Sequence, residues 1–237
     1  RHHGVIGPGG ACTQAAERYL ASGDHRNMGA PIGQAGNGTA MRTAALGLWF
    51  GKDHPALIST VADISRLTHQ DPRSVAGGVA IACAANLLAL DHSIDESDLC
   101  KRLADAIDGI SHEFSELIRL LPNKLNDPER ERFIASAGQA SPEFSKPIIS
   151  PFVIPTVLAS IACVLDHRDS WVDAVTSAVR LGGDVDTLGA IVGTLSGAIH
   201  GIEGIPDHLV RSVQDSETIA SLAAQYHSLI QSRSAAH

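Results

Sequence analysis

Four glycines spaced four residues apart, Gly189, Gly193, Gly197 and Gly201, constrain this chain more than any other feature in it. On a helix with 3.6 residues per turn, that spacing lines them up in one narrow, slightly drifting stripe without side chains. Each glycine destabilises a helix interior by about 1 kcal/mol relative to alanine, so the stripe predicts a second backbone approaching closely. It also predicts a central, buried helix. Ahead of the stripe stand Gly182 and Gly183, which can turn the chain through positive φ, and then Asp184, Val185, Asp186 and Thr187. Asp is favoured at helix N-termini, where free N–H groups attract negative charge, so the helix is predicted to begin around Asp186. Oxygen ligands at i, i+2 and i+3 suit Mg2+, Mn2+ or Ca2+ better than zinc, which prefers His and Cys. The residues alone leave two readings open: a ligand-bearing helix start, or an Asp cap followed by a core helix.

A stripe of small residues needs a core to match, and the composition supplies one. Aromatic residues make up only 4% of the 237, so small and aliphatic side chains must fill the interior, which suits closely spaced helices. The length allows one compact domain, 1–237, and does not require two. Lys and Arg total 18 against 26 Asp and Glu, a net charge of −8 that argues against a nucleic-acid-binding surface. Cys12, Cys83, Cys100 and Cys163 form no C-x-x-C pair, fall in or beside apolar helical patterns, and read as reduced core thiols of a cytoplasmic protein. The apolar run Leu188 to Ile199 is too short and too glycine-rich to span a bilayer, so no membrane is expected. The chain opens at Arg1, and its only methionines are Met28 and Met41, which reads as part of something longer or as a chain that has lost its initiator Met.

Taken in order, Arg1 to Gly10 and Gly23 to Gly38 read as loops, with a helix over Ala11 to Ser22 between them. Thr39 opens a second helix, and Asp53-His54-Pro55 a third that runs to about Leu67. Asp71 as cap and Pro72 in the first turn launch a helix to Leu90 that is apolar almost all round and therefore buried. A continuous amphipathic stretch is predicted from Asp95 through Leu121, then a polar segment, Asn123 to Ser145, broken by prolines and carrying one short helix around Glu129 to Ser136. Ser150 to Leu165 reads as a buried helix, Asp169 as the cap of the next, Pro206 as the start of a short segment, and Ser216 to Ser232 as a final amphipathic helix. With no alternating strand pattern, the expected fold is all-α, a single compact multi-helix orthogonal bundle.

A second group of residues, Gln34-Ala35-Gly36-Asn37-Gly38-Thr39-Ala40-Met41-Arg42, places an Asn between glycines at a helix start. Backbone N–H groups there can turn outward to bind an anion such as a diphosphate, or the residues form an ordinary Asn-Gly turn. Taken together with GGDVDTLGAIVGTLSGAIHG, this loop resembles the ADP-ribosylglycohydrolase family, of the dinitrogenase-reductase-activating glycohydrolase type. The resemblance runs from about Gly10 to the end of the chain. It rests on Gly36, Asn37, Gly38, Met41 and Arg42, which match the family's G-N-G-x-x-M-R segment, on Thr68-His69-x-x-Pro72, and on Asp184-x-Asp186-Thr187. It implies that Gln34, Gly36, Asn37, Gly38, Met41 and His69 line an ADP-ribose pocket. Phe152 stands where relatives often carry Tyr beside the adenine. Taken alone, His69 also reads as a capping or surface histidine and Phe152 as a plain core residue.

The resemblance further implies that Asp184, Asp186 and Thr187 supply half of a site for two Mg2+ or Mn2+ ions, with Asp184 and Asp186 also serving catalysis. Such a pair of ions assists hydrolysis of a glycosidic bond between ADP-ribose and a protein side chain or small acceptor. The family's G-D-x-x-G helix and T-D-D-T segment, which carry the remaining metal ligands, have no counterpart here. Asp63, Asp71, Asp91 and Asp95 lie in other contexts. The expectation is therefore an active metal-dependent hydrolase whose N-terminal part lies elsewhere in the same protein. The alternatives are a catalytically impaired protein that still binds ADP-ribose or a nucleotide, and an all-α structural domain whose Asp-x-Asp-Thr only caps a helix.

Overall fold

The computed structural model describes residues 9–139 and 147–234. The expected N-terminal loop up to Pro8, and the end of the polar segment at 140–146, lie outside the described residues. Among those residues the chain forms twelve α-helices, one 3-10 turn and no strand. They are α1 (Gly10–Ser22), α2 (Ala40–Trp49), α3 (His54–Arg66), α4 (Pro72–Leu90), α5 (Glu96–Ile107) and α6 (His112–Lys124). After these come α7 (Arg130–Ser136), α8 (Val153–Asp166), α9 (Trp171–Arg180), α10 (Val185–His200), the 3-10 turn Ile202–Gly204, α11 (Asp207–Ser212) and α12 (Ser216–Ser234). The all-α class is as the sequence predicts.

The centre of the bundle is α4. Asp71 caps it by accepting a hydrogen bond from the Arg73 backbone N–H, and every residue from Ser74 to Leu88 is buried. Helices α2, α3, α5, α8 and α10 all pack on it. Among the described residues this helix, and not the run Leu188 to Ile199 weighed above, is long and apolar enough to cross a bilayer, but its surroundings here are other helices. The second central helix is α8, buried from Val153 to Leu165.

Close backbone approach occurs, but not where the glycine stripe predicts it. A Cβ on Gly47 of α2 would stand 2.1 Å from the Ala82 carbonyl oxygen of α4, so only glycine lets these two helices meet. On α10 the stripe faces side chains of α9. A Cβ on Gly193 would lie 3.3 Å from the Trp171 ring and 3.6 Å from Val175, and one on Gly189 would lie 3.8 Å from Val179. Trp171, Val175 and Val179 recur every four residues, so a ridge of α9 lies in a groove of α10, and the indole N–H donates to the Gly193 carbonyl at 2.9 Å. Gly197 has nothing within 4 Å, and Gly201, at φ +66°, ends the helix. Nor is α10 buried all round. Its core face is Thr187, Leu188, Ile191, Val192, Leu195 and Ser196, while Ala190 and Thr194 face solvent.

Four further expectations change. The stretch from Asp95 divides into α5 and α6 at Asp108 to Ser111, because Gly109 and an extended Ser111 let the chain fold back and pack α6 on α5. Pro122 does not break α6; it sits near the end, where only one helical hydrogen bond is lost. The cap of α9 is Ser170, whose hydroxyl accepts from the Asp173 N–H at 3.2 Å, and Asp169 precedes it. Finally, α12 presents no buried face. Ile219, Leu222 and Leu229 are exposed, and Tyr226 ties the helix to α2 by stacking on Trp49 at 5.6 Å and donating to the Ala45 carbonyl at 2.8 Å.

Candidate functional site

The start of α10 is held by a single backbone bridge. Gly182 and Gly183 both take positive φ, +74° and +85°, which lets the chain run beside residue 149. Ile149 N–H donates to Gly182 O at 3.2 Å, and Asp184 N–H to Ile149 O at 2.8 Å. A Cβ on Gly183 would stand 2.0 Å from the Ile149 oxygen, so the approach depends on glycine. The helix proper begins at Val185. Asp184 occupies the N-cap position, but its side chain caps nothing. The carboxylate turns instead to residue 37. Asn37 Nδ2 donates to Asp184 Oδ2 at 2.6 Å and to Thr156 Oγ1 at 3.0 Å, using both amide hydrogens. Asn37 is 7% exposed; its bond to Thr156 is buried and its bond to Asp184 partly so.

Beside Asp184, Asp186 is exposed and Thr187 is buried. The Asp186 carboxyl is held below its ordinary pKa, first by the Thr187 backbone N–H, then by the Asp184 side chain and its own N–H.

The glycine loop is assembled from the same direction. Gly36 and Phe152 form an antiparallel bridge, in which Asn37 N–H donates to Pro151 O at 3.1 Å and Val153 N–H to Ala35 O at 3.0 Å. This sets the half-buried Phe152 ring beside the loop and the start of α8 beneath it. Ser74 of α4 donates its hydroxyl to Gly36 O at 2.8 Å, and Thr39 donates to Ser74 O.

His69 lies under the loop. A third bridge, Ala30 with His69, brings it there, and a Cβ on Gly38 would stand 2.9 Å from its ring. The imidazole is 2% exposed. Burial pushes its pKa down to about 4, the nearby Arg42 charge adds to this, and Asp71 opposes it, so the ring is neutral at pH 7. Arg42 donates to the Thr68 hydroxyl, whose own proton can then point to His69 Nδ1 at 2.8 Å. That arrangement puts the ring proton on Nε2, the side facing Gly36 and Gly38.

Gly36, Asn37, Gly38, His69, Phe152 and Asp184 thus form one connected unit, with Asp186 and Thr187 continuing from it. Two expected pocket residues turn their side chains outward, although the Met41 backbone N–H donates to Asn37 O at 3.3 Å. Gln34 is exposed and pairs with Gln14 of α1 at 3.2 Å, and Met41 is half exposed on the first turn of α2. Sequence reasoning missed Thr156, which shares the Asn37 amide, and missed the wider part played by Asp71. The Asp71 carboxylate is almost fully buried. It accepts from Gly33 N–H at 2.8 Å and from Arg73 Nε and Nη2 at 2.9 Å each. Burial raises its pKa, but Arg73 and the two backbone donors outweigh that and hold it below the ordinary value. The signal was there in Asp71-Pro72-Arg73, a cap residue followed two positions later by a cation.

As a cation site, the donors at 184, 186 and 187 fit in kind. They are hard oxygens, and Asp184 is free of capping duty. A carboxylate, a second carboxylate and a hydroxyl complete only part of an octahedron, so water or further residues must supply the rest. Among the described residues, one other group gathers three possible ligands, Asp108, His112 and Glu116. It belongs to α6 and the turn before it, which carry none of the residues above. Arg119 already pairs with Glu116 at 3.1 Å and with Asp105 at 2.8 Å beside it.

Comparison with known proteins converges on one family. The family model described as ADP-ribosylglycohydrolase matches residues 1–236. An ADP-ribosylarginine hydrolase of Serratia proteamaculans is 26% identical over 220 residues, covering 92% of this chain and 53% of that protein. The ADP-ribosyl-dinitrogen reductase glycohydrolase of Rhodospirillum rubrum is 27% identical over 201 residues, 84% of this chain and 57% of that one. A protein of Archaeoglobus fulgidus is 29% identical over 195 residues, with 81% and 58% covered. A solved structure described as an ADP-ribosylglycohydrolase-related protein complex superposes with a TM-score of 0.70 at 25% identity, covering 94% of this chain and 69% of that one. The chain therefore spans between half and two thirds of the length of these curated relatives.

Proposed function

We propose, from the premise that this chain belongs to the ADP-ribosylglycohydrolase family, that it forms the ADP-ribose-binding part and half of the metal site of a metal-dependent hydrolase. The bond cleaved is the glycosidic bond between the ribose anomeric carbon of ADP-ribose and a modified side chain or small acceptor. One observation carries the reading. The 2.6 Å hydrogen bond from Asn37 to Asp184 joins the glycine loop to the acidic helix start across 147 residues of sequence. A merely capping Asp would face its own helix.

In this reading the N–H groups around Gly36 and Gly38 hold the diphosphate, with His69 as the neutral support beneath them. Phe152 offers its ring to the adenine. Asn37 orients one oxygen of Asp184 and leaves the other, with Asp186 and Thr187, to hold Mg2+ or Mn2+. When bound, such ions polarise ribose hydroxyls and position a water. Cys83, Cys100 and Cys163 are buried as core thiols should be, while Cys12, expected with them, is exposed on α1; the setting proposed is a reducing cytoplasm.

The test is hydrolysis of an ADP-ribosylated peptide with and without Mg2+, in the wild type and in Asp184→Ala and Asp186→Ala. Turnover that needs no metal and survives both substitutions would refute the mechanism. ADP-ribose binding without turnover would instead support the catalytically impaired relative.

A further inference from the structure

We propose that Asp71 and Arg73 form a positioning unit for the base-binding end of the site, holding Phe152 in place for stacking on adenine. The proposal rests on the reading of Phe152 given above and extends it to two residues that the motifs did not place in the pocket.

The carboxylate of Asp71 holds two things at once. It accepts the backbone N–H of Gly33, which anchors the loop leading to Gly36, and it grips the guanidinium of Arg73 through Nε and Nη2. A two-point grip fixes the plane of a guanidinium as well as its position. That plane is then used. The guanidinium carbon of Arg73 stands 5.3 Å from the centre of the Phe152 ring, within the range of a cation–π contact. Gly138, at φ +68°, comes close to the ring edge, where an added Cβ would meet Phe152 Cε1 at 3.1 Å. The Gly36 bridge fixes the backbone of Phe152. Backbone, one ring face and one edge are therefore all held, and the half-buried ring has little freedom to lose when a flat ligand stacks on it.

Adenine is the part of ADP-ribose that has such a flat face; ribose and phosphates do not. Loosening the unit should consequently weaken only ligands that carry a base. Calorimetry on the full 237-residue chain with ADP-ribose, AMP and ribose 5-phosphate reads this directly. Arg73→Gln is expected to weaken ADP-ribose and AMP by about tenfold each, a stacking-sized effect, and to leave ribose 5-phosphate unchanged. Arg73→Lys keeps the charge without the two-point grip and should fall between. Asp71→Asn should add faster amide exchange at Gly33. A general loss of structure would lower all three ligands together, so an equal loss across them overturns the proposal, as does no loss at all. A wild-type chain that binds none of the three removes the ADP-ribose reading, and the proposal with it.

Discussion

Replacing Gly183 with alanine tests the bridge that positions Asp184. At φ +85° an alanine is strained by about 1–2 kcal/mol. Its Cβ would also stand 2.0 Å from the Ile149 oxygen and 2.9 Å from the Ile149 nitrogen, both backbone atoms that cannot swing aside. Relief requires opening the bridge, with loss of the hydrogen bonds at 2.8 Å and 3.2 Å. Each is worth about 1 kcal/mol net, so strain and lost bonds together come to roughly 3–4 kcal/mol. In a chain of this size that lowers Tm by about 10 °C. Gly197→Ala is the internal control, since nothing lies within 4 Å of that position and alanine is the better helix former. Thermal unfolding followed by circular dichroism should place Gly183→Ala well below the wild type and Gly197→Ala level with or above it. Because the bridge carries Asp184, ADP-ribose binding by the folded Gly183→Ala protein should weaken too. A Gly183→Ala protein that melts within about 2 °C of the wild type, a shift of under 1 kcal/mol, would refute the close approach.

Three other outcomes follow from the same geometry. His69 is held neutral, with its pKa at about 4 in the folded chain against 6.5 unfolded. Its contribution to stability is therefore complete above pH 6.5 and lost as pH falls towards 4, by about 3 kcal/mol; urea midpoints of His69→Gln should fall less steeply over that window, and parallel slopes would count against a neutral buried ring. Asn37→Ala leaves Thr156 and Asp184 without their shared donor and should destabilise by about 1–3 kcal/mol, with Mg2+ binding at Asp184 altered in a metal titration; an unchanged titration would mean that Asp184 is oriented by something else. Gly47→Ala puts a methyl 2.1 Å from the Ala82 oxygen in the middle of the α2–α4 contact and should lower the urea midpoint by an amount equivalent to about 2–3 kcal/mol, whereas a neutral result would refute that packing.

The sequence was most legible where periodicity and end signals coincide. The Asp71-Pro72 start and the almost wholly apolar run after it announce α4, and its burial followed from having no polar face. The Gly-Gly turn before Asp184 was legible for the same reason, since few other sequences reverse the chain so tightly. Spacing says which side of a helix the α10 glycines share, but not what lies against it, and the answer, an α9 ridge of Trp171, Val175 and Val179, depends on tertiary packing. The break between α5 and α6 was missed because amphipathic periodicity continues in phase across a tight reversal. At the site, the motifs gave Asn37 and Asp184 as members of separate groups. Their hydrogen bond was not legible, because no local pattern encodes a contact between residues so far apart. Asp71 was read as a cap, which it is, and its other three donors were hidden by that sufficient local explanation.

The span of the Asn37–Asp184 contact also sets the order in which the protein can be made. A ribosome adding about 5–20 residues per second exposes Asn37 on the order of ten seconds before Asp184. Through that interval α2, α3, α4 and then α8 can pack, yet the Asn37 amide has Thr156 at most for company. A chain that stops short of α10 is therefore a nearly complete bundle with an unfinished site: its glycine loop is already held by Asp71, Ser74 and Pro151, and only the bond from Asn37 to Asp184 is missing. The acidic helix start closes the assembly as well as equipping it, so binding through this site reports that synthesis has passed residue 184.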